Sequence, residues 1–181
     1  VANCTFVNNH ADKDGGAFTT LARNVYTWLF NNIITGNTAG GGGPNISGPV
    51  KSRGGNVVGD STGSTGWLAS DLAGRAAAPI DLKLEAFTCG TLELHRPGAS
   101  SPAIGFGQDS LVEYICQDIC GEVRFAACID AGAVQVSNCG GQLAGLGSCA
   151  PTGIFTRRKY EATALVAYPS PTTGRVHVRA N

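Results

Sequence analysis

The chain has 181 residues, 13 of them basic and 13 acidic, so its formal net charge is zero. That balance gives no basic face for nucleic acid or an anionic membrane, and no apolar run approaches the ~18 residues that would span a bilayer. Twenty-six glycines, 14% charged residues and four lysines point to a loop-rich, all-β chain, because long helices draw on Ala, Leu, Glu and Lys.

From the first residues the chain repeats itself. Thr5-Phe6-Val7-Asn8-Asn9-His10-Ala11 aligns with Ile33-Ile34-Thr35-Gly36-Asn37-Thr38-Ala39 at an offset of 28, and Asn32-Ile33-Ile34 aligns with Asn56-Val57-Val58 at an offset of 24. Gly15-Gly16-Ala17-Phe18 and Asn45-Ile46-Ser47-Gly48 read as further short strands. Periods of this length mark stacked architectures in which no unit buries its apolar face alone. Strands of three to five residues are too short for an isolated sheet, but each can pair with its equivalent in the next turn of chain. The expectation is a right-handed parallel β-helix over residues 1–74, with Phe6, Ile34 and Val58 piled inside. Asn9 and Asn37 fall at equivalent turns, where Asn tolerates a left-handed backbone and stacked amides can bond along the axis. Gly40-Gly41-Gly42-Gly43 is followed by Pro44 and lacks the Gly-Lys-Ser/Thr of a phosphate loop, so it reads as a connection.

Beyond Asp60 the pattern changes. Residues 61–66 form a small-residue turn, Trp67-Leu68-Ala69-Ser70-Asp71-Leu72 suggests one short helical turn, and residues 79–135 alternate short strands with Gly/Pro turns. The last turn of a stacked fold exposes strand edges and an apolar cross-section, so residues 75–149 are expected to cap it. Residues 150–164 have linker character, and residues 165–181 read as a turn leading into an alternating strand. The chain holds no methionine, starts at Val1 within an apparent strand and stops within another motif. These features lead us to expect a piece of a longer chain.

Seven cysteines (Cys4, Cys89, Cys116, Cys120, Cys128, Cys139, Cys149) sit mostly in the second half. Disulfides stapling a module with little core are expected. The alternative is a structural zinc site from Cys116-x3-Cys120 with Cys128, Cys139 or Cys149. Among charged residues of the repeat, Asp12-Lys13-Asp14 precedes Gly15-Gly16 and reads as a solvated turn, with calcium its other use. Asp60 is a further carboxylate there. Lys51 and Arg53 occupy adjacent outward positions of one loop, where they would touch an acidic glycan or simply solubilise the surface. His95 with Asp118 or Asp130 has the composition of an acid/base pair, but no Gly-x-Ser-x-Gly motif accompanies it. The expectation is a packed histidine, with Asp130 satisfying turn amides.

Asn31-Asn-Ile-Ile-Thr-Gly-Asn-Thr-Ala-Gly40, Pro44-Asn-Ile-Ser-Gly-Pro-Val50 and Gly55-Asn-Val-Val-Gly-Asp60 resemble the last coils of bacterial β-helix surface proteins. The segment C-terminal to these coils resembles the choice-of-anchor Q domain, through Gly90-Thr91, His95, Pro97, Ser101-Pro-Ala-Ile104, Gly107, Asp118, Gly121, Arg124 and Ile129-Asp130-Ala-Gly132-Ala133-Val-Gln135. The chain departs from that pattern at Gly105 and at Ile119-Cys120, which weakens the expectation of a carboxylate–guanidinium network there. The tail, with Tyr168, Pro169, Pro171, Thr172, Thr173 and Gly174, resembles the opening of the type A sorting domain of the type IX secretion system. The resemblance implies a non-catalytic secreted or outer-membrane surface protein of a Bacteroidetes-like bacterium. Its implied partners are the type IX machinery and an extracellular glycan, with Lys51 and Arg53 the candidate contacts and no cofactor beyond a possible calcium. The alternative is a polysaccharide lyase or hydrolase whose active coils lie upstream, since this fold hosts both.

Overall fold

The paired β-branched residues Ile33-Ile34 and Val57-Val58 have no polar partner to turn outward, which is the signature of strands buried on both faces. The computed structural model, which describes residues 1–20, 27–109, 117–124 and 128–136, places them that way: all four are 0% exposed. Among the described residues every regular element is a strand. The chain divides into two units, Val1–Cys149 and Ala150–Asn181. The second lies outside the described residues, and with it the expected linker and the candidate sorting residues Tyr168 to Gly174.

The repeat forms four tiers. The first holds β1 (Thr5–Val7), β2 (His10–Ala11), β3 (Phe18–Thr19) and β4 (Thr27–Leu29), and the second β5 (Ile33–Thr35), β6 (Thr38–Ala39) and β7 (Ile46–Ser52). The third holds β8 (Val57–Val58) and β9 (Ser64–Thr65), and the fourth β10 (Leu72–Ala73). The pairings between these strands are all parallel. β1, β5, β8 and β10 form one ladder in that order, β2 pairs β6, and β7 receives β3, β4 and β9. Phe6 stands on Ile34, Ile34 on Val58 and Val58 on Ala73. The offsets of 28 and 24 seen in the sequence are therefore the registers of the ladder.

Two apolar clusters lie on opposite faces of that ladder. On one face Leu29, Ile34, Ile46, Val50 and Val58 pack with the less buried Phe6, Phe18 and Trp67. On the other, Ile33 and Val57 pack with Leu82, Ala103 and Ala131. Each fully buried Ile or Val contributes about 1.5–3 kcal/mol.

Asparagines hold the corners in two columns. The Cys4 N–H donates to Asn32 Oδ1 at 3.0 Å, Asn32 Nδ2 donates to Asn56 Oδ1 at 2.9 Å, and Asn56 Nδ2 donates to Asp71 Oδ1 at 2.8 Å. In the second column Asn9 Nδ2 donates to Asn37 Oδ1 at 2.8 Å, and Asn37 Nδ2 to Asn45 Oδ1 at 2.9 Å. The stacked amides of Asn9 and Asn37 are thus present, but the left-handed backbone is one residue earlier, at Asn8 (φ 57°) and Gly36 (φ 65°). Asn3, Asn31 and Gly55 repeat that conformation at the next corner. A Cβ on Gly55 would overlap Asn31 Oδ1, so the glycine makes room for the amide stacked against it.

One further expectation is corrected. Trp67 to Leu72 form no helix: Leu68 O accepts from the Asp71 N–H at 3.0 Å, closing one tight turn, and Leu72 already belongs to β10. The segment after the repeat, which includes the antiparallel hairpin of β11 (Leu84–Cys89) and β12 (Leu92–Pro97), packs along a flank of the ladder. Its contacts reach from Thr5 Oγ1, which accepts from the Ala133 N–H at 3.0 Å, past Asn31, whose amide exchanges two hydrogen bonds with Gln108, to Leu72 in the last tier. Burying Ile33 and Val57 requires this, because they give the ladder a second apolar face that must be covered.

Candidate functional site

Alternation along β4 sends Leu29 inward, where it is 0% exposed, and Trp28 outward, where it is 46% exposed. Along β7, Val50 and Ser52 turn inward and Lys51 outward. The parallel register sets Trp28 opposite Lys51, and the Arg53 N–H donates to Leu29 O at 2.8 Å, anchoring the residue just beyond the strand. Both cations meet the indole. Lys51 Nζ is 5.1 Å from its centroid and Arg53 Cζ 4.5 Å, both within cation–π range. Lys51 and Arg53 are therefore brought together as the sequence suggested, although Lys51 stands in a strand and not in a loop.

Sequence reasoning missed Trp28. The reason is a change of period within the first tier: the offset is 28 at Phe18↔Ile46 and 23 at Thr27↔Val50. Seven residues, 20–26, separate the first-tier partners Thr19 and Thr27, whereas only Gly48-Pro49 separates Ser47 and Val50 on β7. No fixed repeat therefore aligns Trp28 with Lys51. The usable signal was local: Thr27-Trp28-Leu29 and Val50-Lys51-Ser52 each turn one bulky apolar residue to the core.

The other candidates serve the fold. Asp14 Oδ1 accepts from the Gly42 N–H and Asp14 O from Thr19 Oγ1, while Asp12 meets His10 Nε2 at 3.5 Å on open surface. Asp60 Oδ1 accepts from the Thr62 N–H at 2.9 Å. Among the described residues no group of three or more His, Cys, Asp or Glu is disposed to hold a metal. Cys120 is joined to Cys89 and Cys128 is also disulfide-bonded, which removes both as zinc ligands. Cys4 is a free thiol.

His95, on β12, lines a cavity of about 410 Å³ together with Cys4, Asp118 and Arg124. Neither carboxylate considered as its partner is free to act on a substrate. Asp118 Oδ1 accepts from the Cys120 and Glu122 N–H groups, both at 2.8 Å, and its Oδ2 from the Gln135 N–H. Asp130 accepts from the Gly105 and Val136 N–H groups, the turn-holding role expected of it. Around Gly105 and Ile119-Cys120 the carboxylates are held by backbone amides and the guanidinium by carbonyl oxygens. Arg124, 3% exposed, donates to Gly132 O at 2.8 Å and Asp130 O at 3.2 Å, and Gln135 Oε1 accepts from the Asp130 N–H. The positions where the chain departs from the family pattern, Gly105 and Cys120, supply two of those backbone amides, to Asp130 and Asp118 respectively. Burial pulls the Arg124 guanidinium below its usual range, against the opposing pull of Asp118 and Asp130.

Among the described residues no helix is long and apolar enough to cross a membrane. Compared with family models, with curated proteins and with solved structures, the chain matches none.

Proposed function

We propose that this chain is the end of a right-handed parallel β-helix with a choice-of-anchor Q-like module, carried to the cell exterior by a type IX sorting signal, and that it acts there by contacting glycan without cleaving it. The observation that carries this reading is the ladder of parallel tiers with two columns of stacked asparagine amides. Repetition of one short turn of chain, with its corner amides in line, is how a solenoid satisfies its backbone. The Cys89–Cys120 disulfide fits an oxidising compartment, and the sequence of the tail fits export. The commitment of Asp118 and Asp130 to backbone amides supports a non-catalytic role. Lys51 and Arg53 are the glycan contacts of this reading. It is tested by presenting the purified, oxidised chain to an array of bacterial, plant and host glycans, and in parallel to uronate polymers under lyase assay conditions. Retention without cleavage supports it. Release of unsaturated oligosaccharides would replace it with the lyase reading, and retention on no glycan at all would leave a structural module with no ligand.

A further inference from the structure

The corner that Asn32 and Asn56 hold in the second and third tiers is held in the first by Cys4, as the ladder register shows. Asn32 Nδ2 donates to Asn56 Oδ1, whereas the Cys4 thiol, a weak donor, meets Ala2 O at 3.2 Å, so the fold gains less there from cysteine than from an amide. Cys4 is a half-buried free thiol, while Cys89, Cys120 and Cys128 are disulfide-bonded. It lines the cavity of about 410 Å³ together with Asn3 and Arg124. Asn31 shows what this cavity lacks: its Oδ1 accepts from the Gln108 N–H at 2.7 Å and its Nδ2 donates to Gln108 O at 2.8 Å. Asn3 is the first-tier equivalent of Asn31, and its Oδ1 is buried without a partner. Arg124, 3% exposed, commits Nη1 and Nη2 to carbonyl oxygens and leaves Nε buried and unpartnered. Among the described residues three buried side-chain polar atoms lack a partner, and two of them belong to residues lining this one cavity. Burial lowers the Arg124 pKa, and Asp118, Asp130 and Cys4 oppose the shift in that order, which places the Cys4 sulfur within electrostatic reach of the guanidinium.

We propose that this cavity binds a small peptide disulfide and that Cys4 exchanges with it, leaving one half of the ligand joined to Cys4 as a mixed disulfide. This goes beyond glycan contact and does not depend on it. An acceptor and a donor, both buried and without partners in the walls of one cavity, are the complement of a peptide group. The ligand's N–H supplies Asn3 Oδ1, and its carbonyl or carboxylate oxygen receives the Arg124 Nε–H. A simple anion fits less well, because the carboxylates of Glu93 and Asp118 line the same cavity. Its volume lies within the range of small-ligand pockets, and Leu94 and Ile119 add apolar wall. In the exchange the Cys4 thiolate attacks one sulfur of the ligand. The new S–S bond forms as the ligand's own S–S bond breaks, and the departing half leaves as a thiolate that takes up the proton Cys4 lost. Cys4 is oxidised and half of the ligand is reduced, so the ligand itself is the oxidant.

The test uses the full 181-residue chain with its disulfides intact. Oxidised glutathione, a peptide disulfide, and cystamine, which has the disulfide without a peptide group, are each added over a range of concentrations. Intact mass follows the adduct, peptide mapping locates it, and each rate is divided by that of N-acetylcysteine with the same reagent. The expected result is one glutathionyl group on Cys4, formed at a rate that saturates with concentration. After that division it should exceed the cystamine rate about tenfold or more, as two added hydrogen bonds give. Cys4→Ser abolishes the adduct. Leu94→Trp, which fills the cavity from β12, slows glutathionylation about tenfold while circular dichroism shows the fold retained. If that variant misfolds, saturation and reagent preference in the parent chain decide. A rate that is linear in concentration and equal for the two reagents overturns the site and leaves an accessible thiol. So does glutathionylation left unchanged in a folded Leu94→Trp. An adduct on another cysteine, or none at all, overturns the assignment to Cys4.

Discussion

Replacing Asn56 with alanine interrupts the buried amide column at its middle. Asn56 is 0% exposed. Its Oδ1 accepts from the Asn32 N–H at 3.0 Å and from Asn32 Nδ2 at 2.9 Å, and its Nδ2 donates to Asp71 Oδ1 at 2.8 Å and Ser52 Oγ at 3.0 Å. Alanine leaves the Asn32 N–H buried without an acceptor, a loss of about 1–3 kcal/mol. Asn32 Nδ2 keeps Val1 O at 3.2 Å, so its share is only about 0.5–1.5 kcal/mol. Asp71 loses one charge-assisted donor but keeps the Asn56 N–H at 3.0 Å, a further loss of about 1 kcal/mol. The expected destabilisation is about 3–5 kcal/mol, a large fraction of the ~5–15 kcal/mol that stabilises a typical domain. Asn9→Ala removes one amide from the exposed end of the other column, where water replaces it, and should lose no more than about 1 kcal/mol. Urea unfolding of the two variants, with disulfides intact and slopes compared, measures the difference. If Asn56→Ala falls within about 1 kcal/mol of Asn9→Ala, the columns are a consequence of the fold and not one of its supports. Asn56→Asp refines the test, because it retains the acceptor for Asn32 but sets a second carboxylate against Asp71. The pair would hold a proton above the ordinary carboxylate range, so the variant should regain stability as pH falls and lose it as pH rises through that raised value.

Three further outcomes are expected. Gly55→Ala forces a Cβ into Asn31 Oδ1 at φ +70° and should lose about 2–4 kcal/mol, whereas Gly90→Ala, at φ +61° with nothing within 4 Å, should lose only the conformational ~1–2 kcal/mol; thermal and urea unfolding separate them. Cys120→Ser opens the link to Cys89 across 31 residues and should lower stability by about 3–4 kcal/mol from loop entropy, measured against the oxidised parent. The hydrogen bond from the Lys83 side chain holds the Asp81 carboxyl below its usual range, helped by the Lys83 backbone N–H. An NMR titration should therefore find its midpoint below that of an ordinary aspartate, and Lys83→Gln should raise it. The sign is set by the depressed value: whatever stability this pair adds is present above the unfolded carboxylate pKa and is lost as pH falls through the folded one.

The tiers were legible in the sequence because each presents nearly the same environment to the next. A position that must be apolar, or amide-bearing, or left-handed in one tier must be so again 28 or 24 residues on, and Phe6, Ile34 and Val58 record that constraint. So do Asn32 and Asn56, whose alignment marks the repeat and whose amides bond along it. The left-handed positions were misplaced by one residue because Asn8-Asn9 offers two asparagines and only one of them turns the corner. Long-range contacts without a period were beyond reach of the sequence. The flank is joined by single contacts across great separations, Asn31 to Gln108 over 77 residues and Thr5 to Ala133 over 128, and a contact made once leaves no recurrence to read. The same holds for the partner chosen by Cys89 and for the network around Arg124. Trp28 stands beside Lys51 and Arg53 only because the extra residues between Thr19 and Thr27 reset the register. The sequence therefore determined the repeating ladder through local, periodic chemistry, while the covered flank, the disulfide pairing and the ring-and-cation surface were decided by tertiary packing among residues that no period relates.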